Sequence, residues 1–282
     1  MTLPAPLAPP LASVNVLGLR VAALTRRAAV AQILEAVRAD HRGYVCVSGV
    51  HGVIESRADP QLGAIHNRAT LTVADGMPLV WALQAAGFPW AERIYGPDLM
   101  LAVIEASQGT GIGHFLYGTT PEVLEALQAR LRKRFPGARI VGSHAPPFRA
   151  LTTAEEDRVA RLIDASGAGI VWVGLGTPRQ EQWMDRMRGR LQAPMLIGVG
   201  AAFDFHAGGK RQAPEAMQRA GLEWLFRLIT EPRRLWRRYL RIVPAYLALR
   251  VLQQTGMRRF PIVTVPVPDR AAEDAPVRET AR

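Results

Sequence analysis

Short apolar runs rich in β-branched residues alternate along this chain with longer stretches in which apolar positions recur every three to four residues. The former read as strands and the latter as helices. Strands are expected at residues 14–17, 44–47, 71–74, 114–117, 139–141, 170–173 and 195–199, with helices at 26–39, at 51–67 and between the later strands. The runs IVWVG and MLIGVG lack inside–outside alternation, as strands buried on both faces do. The succession of strand and helix predicts βαβ units, and with them a doubly wound, mostly parallel α/β core over about residues 14–210.

Punctuation residues sharpen some boundaries. Thr120-Pro121 offers an N-cap followed by proline at the first helical position. Thr153 with Glu156 reads as a capping box. Thr177, Pro178 and Gln180 read as N-cap, first helical residue and reciprocal capping partner. Residues 1–13 contain four prolines and no basic start, so a disordered leader is expected rather than a secretion signal. Residues 261–282 are expected to form a disordered tail, since the sequence from Pro266 onward is polar and poor in aliphatics.

Composition narrows the class. An apolar fraction of 49% and a charged fraction of 21% exclude wholesale disorder. The net charge of +11 calls for an anionic partner: nucleic acid, phosphate or a membrane surface. Cys46 is the single cysteine, which excludes an internal disulfide and fits a reducing compartment. No apolar run reaches the roughly 18 residues of a membrane span.

Much of the positive charge lies in one place. Residues 227–259 carry nine arginines against one acid, Glu231, interleaved with Trp236, Tyr239, Tyr246 and several leucines. Residues 211–260 therefore read as a basic, amphipathic helical appendage. Arg227, Arg234 and Arg237 would share a face if the helix were continuous, although Pro232 can interrupt it. The forked guanidinium suits phosphate clamping, whereas a solvated basic face is the plainer alternative. Interleaved aromatics and leucines favour an anionic membrane surface over nucleic acid, for which no recognised module is present. The apolar side of the segment also offers a second copy a place to dock, so the oligomeric state stays open.

Several positions could carry chemistry. Gly174-Leu175-Gly176-Thr177-Pro178-Arg179-Gln180 follows a strand and opens a helix, an arrangement that suits a phosphate. It is neither a dinucleotide fingerprint, since Arg179 takes the third glycine position, nor a P-loop. An ordinary strand-to-helix turn remains equally open. Asp75 ends the strand at 71–74, where a general base or a turn aspartate would sit. Ser48 and His51 follow another strand; Ser48 is a substrate ligand or a helix cap. Asp204 lies in the loop sequence Phe203–Gly209 and is a second acid for substrate contact or for structure. One cysteine and widely spaced histidines give no convincing metal cluster.

Five ordered motifs then converge. Ala74-Asp75-Gly76-Met77-Pro78, Tyr95-Gly96-Pro97-Asp98, GLGTPRQEQW at 174–183, GVGAAFDFHAGGKRQAP at 198–214 and LEWLFRLITEPRRLWRRY at 222–239 together resemble the WecG/TagA/CpsF glycosyltransferases over about residues 14–245. The resemblance implies a Rossmann-like fold and metal-independent, inverting transfer of a sugar from a UDP-sugar to a polyprenyl-diphosphate-linked sugar, with no cofactor, at the cytoplasmic face of the cell membrane. It implies that Asp75 is the catalytic base and Gln180 a polar active-site residue. It further implies that Arg227, Arg234 and Arg237 close over the site and hold the diphosphate. Where many members have threonine before Pro-Asn, this chain has Ser48-Gly49-Val50-His51, so Ser48 takes the threonine position and His51 part of its role. That variant is similar to exopolysaccharide members of the xanthan type, which implies a glucosyl donor. The rival from another class is a noncatalytic phosphate- or membrane-binding scaffold, which has no need of Asp75 at a strand end.

Overall fold

The computed structural model describes residues 11–264, except Lys210, Arg211 and the side chain of Arg234. Residues 1–10 of the expected leader and 265–282 of the expected tail lie outside the described residues. The first elements of the described chain are an antiparallel hairpin of β1 (Ser13–Val16) and β2 (Leu19–Ala22). Its two-residue turn holds Leu17 and Gly18 at positive φ, 54° and 98°, which matches the twist of the paired strands. Helix α1 (Arg26–Arg38), capped by the Thr25 hydroxyl on the Ala28 amide, leads into the main sheet.

That sheet has six parallel strands in the order β4-β3-β8-β7-β5-β6. They are β3 (Gly43–Ser48), β4 (Leu71–Ala74), β5 (Gly113–Gly118), β6 (Arg139–His144), β7 (Ala168–Gly174) and β8 (Met195–Gly198). Between β3 and β4 the single helix expected at 51–67 is two, α2 (Val50–Ala58) and α3 (Pro60–Arg68). The break is chemical: Asp59 caps the Gln61 and Leu62 amides, and Pro60 takes the first position of α3. Helices α4 (Met77–Ala85) and α5 (Gly96–Ala106) join β4 to β5, and α6 (Pro121–Arg134) follows β5 with Thr120 as its cap.

Helix α7 (Thr153–Ala165) follows β6 and corrects the expected capping box by one residue. Thr152 is the extended N-cap and Glu155 its partner. Glu156 is instead buried and pairs with Arg186 at 3.1 Å and Arg190 at 2.8 Å. Helix α8 (Arg179–Met187) joins β7 to β8, and α9 (Ala202–Ala207), α10 (Glu215–Arg219), α11 (Glu223–Thr230) and α12 (Pro232–Gln254) complete the described chain.

Alternate strand residues serve opposite faces. Val45, Leu116, Ile170, Trp172 and Ile197 pack with α1, α5 and α6, while Tyr44, Cys46, Tyr117, Val171 and Leu196 pack with α3, α7 and α8. Both faces are apolar, which is why IVWVG and MLIGVG show no polar alternation. A third cluster joins the hairpin, α2 and α4 to Ile242 and Tyr246 of α12 and to Phe260. Polar contacts close it: Asn15 Nδ2 donates to the Phe260 carbonyl at 2.7 Å, and Gln253 bridges Leu17 and Asn15. Residues 261–264, expected as part of the tail, are instead tied to the hairpin and α3 through Val263, which is hydrogen-bonded to Gly18 and Asn67. No helix among the described residues is long and apolar enough to cross a membrane.

One buried titratable group gives a measurable signature. His114 lies fully buried between the Ser107 hydroxyl, 2.8 Å from Nε2, and the Trp172 indole, which donates to Nδ1 at 3.2 Å. Burial lowers its pKa to about 4. The folded state therefore binds its proton less readily than the unfolded state, whose histidine titrates near 6.5. The contribution of His114 to stability is complete above about pH 6.5 and is lost towards pH 4, by about 3 kcal/mol at the lower end. The difference in urea-unfolding stability between wild type and His114→Gln should change with this slope between pH 7 and 4.5, a comparison in which the opposing titration of Asp75 cancels.

Candidate active site

A cavity of about 810 Å³ opens beyond the carboxyl ends of β3, β4 and β8, where open α/β sheets place their ligands. Asp75, the residue after β4, faces it. The Asp75 amide donates to the Ser48 carbonyl, carrying the β-ladder one residue past the strand. Its Oδ1 accepts from the Gly96 amide at 3.1 Å, at the start of α5. Burial raises the carboxyl pKa to about 6, opposed by Arg93, the Gly96 amide and Arg227. A carboxylate held near neutrality in this way is suited to accept a proton from a hydroxyl.

The Asp75 loop is held by Arg93. Its Nε donates to the Asp75 main-chain carbonyl at 2.5 Å, its Nη1 to Gln218 Oε1 at 3.0 Å and its Nη2 to Glu223 Oε2. The guanidinium lies 4.1 Å over the Tyr95 ring. Sequence reasoning passed over Arg93, because an arginine in the connection between α4 and α5 carries no local signal. Glu223 and Gln218 were missed for the same reason, although Glu223 stands within the LEWLFR motif.

The glycine loop after β7 differs from expectation. Pro178 is the N-cap and α8 starts at Arg179, so Thr177 is not the cap. The Thr177 hydroxyl donates to Glu181 Oε1 at 2.9 Å. Gln180 does not complete a capping box. Its Oε1 accepts from the Gly176 amide at 3.2 Å and the Gly200 amide at 3.0 Å, and its Nε2 donates to Glu181 Oε1. Both ends of that amide are engaged, so Gln180 acts as a staple between two loops of the cavity rim. Gly176, at φ +76°, lines the cavity. Gly174 does not: a Cβ there would lie 2.7 Å from the Phe203 ring, so its glycine serves the close packing of α9.

The remaining expected residues divide. His51 lines the cavity, and burial together with Arg238 lowers its pKa to about 4, leaving a neutral imidazole at pH 7. The Ser48 hydroxyl is buried under Gly52 of α2 with no hydrogen-bond partner, away from the cavity lining. Asp204 lies on α9, also outside the lining.

Arg227 on α11 reaches the cavity, but the helix ends at Thr230 and α12 starts at Pro232, so the seven-residue spacing to Arg234 no longer defines one face. Arg237 is exposed and lies over Trp236; nothing is described for the Arg234 side chain. The cations that α12 brings to the cavity are Arg238 and Arg250. Arg238 Nε is cut off from solvent and has no acceptor. Trp81 of α4 forms the opposite wall, and a side chain at Gly221 would meet its ring at 2.9 Å. Among the described residues, no three of His, Cys, Asp and Glu gather as a metal site.

A buried carboxylate, a stapled glycine loop and several arginines thus stand around one cavity, an arrangement suited to group transfer between polar, anionic substrates. A family description matches residues 14–260, nearly the whole described chain, and by that match the protein belongs to the WecG/TagA/CpsF family of glycosyltransferases.

Proposed function

We propose that the protein transfers a sugar from a UDP-sugar to a sugar on a polyprenyl-diphosphate carrier, with inversion and without a metal, at the cytoplasmic surface of the membrane. The observation that carries this reading is the single cavity that holds Asp75 together with Arg227, Arg238 and Arg250. In the reaction, the acceptor hydroxyl oxygen forms a bond to the anomeric carbon as the bond from that carbon to the UDP oxygen breaks. Asp75 takes the hydroxyl proton from the face opposite the leaving group. Arginines beside the site meet the charge of the departing diphosphate, a role for which the forked cation is suited. Arg238, whose Nε has no acceptor, is the first residue to assign there.

The decisive assay supplies purified protein, a polyprenyl-diphosphate monosaccharide and a panel of UDP-sugars, UDP-glucose first, in chelated buffer. Released UDP with one donor and inverted product stereochemistry are the expected results. Activity that disappears with chelator and returns with magnesium would reverse the metal-independent part.

Membrane contact is proposed for the exposed apolar residues of α12, two of which, Leu247 and Val251, also line the cavity. Trp236, Leu240, Leu247 and Val251 lie at spacings of four and seven and are 46%, 67%, 59% and 56% exposed. Arginines flank them, each adding about 1 kcal/mol near an anionic surface. Replacing Leu240, Leu247 and Val251 together with Gln should abolish sedimentation with phosphatidylglycerol vesicles yet leave the melting temperature near wild type. Deleting the segment is a poorer test, because Ile242 and Tyr246 belong to the third core cluster.

A further inference from the structure

We propose that Glu223 is a positioning residue that acts through Arg93, so that the base Asp75 is held in place only when the basic C-terminal helices are seated. The inference rests on the transferase reading for the role of Asp75, and on geometry for the rest. Arg93 is the shared element. One side of its guanidinium holds the Asp75 carbonyl, and the other holds Gln218 of α10 and Glu223 at the first position of α11. The Arg93 and Glu223 side chains are only 14% and 19% exposed, so the ion pair is poorly screened by solvent. Gln218 is itself fixed, donating to the Ala213 carbonyl at 2.7 Å.

The consequence follows from the pairing. Arg227 stands one turn after Glu223 on the same helix, so a seated α11 delivers a cation to the cavity and engages Arg93 in one movement. If α11 lifts away, Arg93 loses both acceptors on that side and is left half-buried with its charge unpaired. It is then free to turn from the Asp75 carbonyl. Asp75 Oδ1 keeps only the Gly96 amide, and the carboxylate is no longer fixed relative to an incoming hydroxyl. A bound diphosphate, by drawing Arg227 inward, strengthens the same seating, so donor binding and placement of the base support each other.

The test compares Glu223→Gln, Glu223→Asp, Arg93→Ala and the double variant Glu223→Gln/Arg93→Ala. For Glu223→Gln, kcat should fall roughly 10- to 100-fold, the scale of an ångström-level misplacement, and UDP affinity should fall with it by a smaller factor, because an unseated α11 also withdraws Arg227. Glu223→Asp should restore part of the loss, and the double variant should be no worse than Arg93→Ala alone. Amide hydrogen exchange gives a readout that needs no activity: in Glu223→Gln, peptides covering 93–99 and 213–230 should lose protection together. Wild-type kcat in Glu223→Gln would overturn the proposal, as would multiplicative losses in the double variant or loosening of 213–230 with 93–99 unchanged. Should wild type transfer no sugar at all, the transferase reading fails, and joint loosening of the two peptides still decides whether the coupling exists. If Glu223→Gln does not fold, Gln218→Ala removes one neutral acceptor and should move the same two peptides to a smaller extent.

Discussion

Asp75→Asn is expected to lower turnover by about 10²- to 10⁴-fold while leaving UDP affinity within a factor of a few. The amide keeps the shape of the side chain and can still accept from the Gly96 amide. It loses only basicity. In the wild-type protein, kcat/KM should rise with pH through about 6, where burial sets the Asp75 carboxyl, because only the ionised form accepts a proton. The variant should lose this acid limb. A second sign follows from linkage. A raised carboxyl pKa means that the folded state resists ionisation, so Asp75 lowers stability progressively between about pH 4 and 6 and by the full amount above that. Asp75→Asn should therefore melt at a higher temperature than wild type at pH 8 while being nearly inactive. Turnover, UDP titration and melting on the same two proteins settle the matter. Near-normal turnover would remove Asp75 from the mechanism, and a lower melting temperature would make it a structural turn residue.

Gln180→Glu should damage the fold more than any other single change at the site. Gln180 and Glu181 are 3% and 1% exposed. The substitution exchanges the Nε2 donor for an oxygen facing Glu181 Oε1, next to an Oε2 that already lacks a partner. Two carboxylates then share one buried space, and one of them must keep a proton. The expected loss is about 3–5 kcal/mol at pH 8, where holding that proton is most costly. This corresponds to a melting temperature lowered by roughly 6–20 °C. At pH 5 the protonated carboxyl can donate to Glu181 as the amide did, so the gap to wild type should narrow. Scanning fluorimetry at both pH values reads the difference, and an unchanged gap would show that the staple depends on shape alone.

The sheet was legible because strands covered on both sides must be apolar throughout, and the runs around Val171 and Ile197 satisfy that without ambiguity. The place of Asp75 on the cavity was legible from its position one residue past β4, but a chemical role was not, since the same position suits a turn aspartate. The hairpin partner Leu19–Ala22 was missed because four residues beside another short strand give little periodicity, although Leu17-Gly18 is a turn signal. The split of α2 from α3 was written in Asp59-Pro60, a cap and a first-turn proline, but the apolar pattern runs across it. The arginines show the deeper limit. Their helical phase can be assigned only after the end of α11 is known, and a break of one residue at Glu231 moves the cavity-facing role from Arg237 to Arg238. Arg93 could not be found by any local rule, since its partners Gln218 and Glu223 lie more than a hundred positions away.

The closure of the first hairpin by the last helix has a consequence for synthesis. Leu17 and Asn15 are bonded by Gln253, and Phe260 seals the same cluster, so these residues wait during synthesis for partners as many as 245 positions later. Until residue 260 has emerged, the apolar floor of the hairpin is bare and the cavity lacks its α12 wall. The growing chain therefore has no complete site until residue 260 has emerged, and no activity is expected before that point. A ribosome stalled near residue 230 would present a folded sheet with an exposed apolar edge, a form that chaperones should recognise and that should release no UDP.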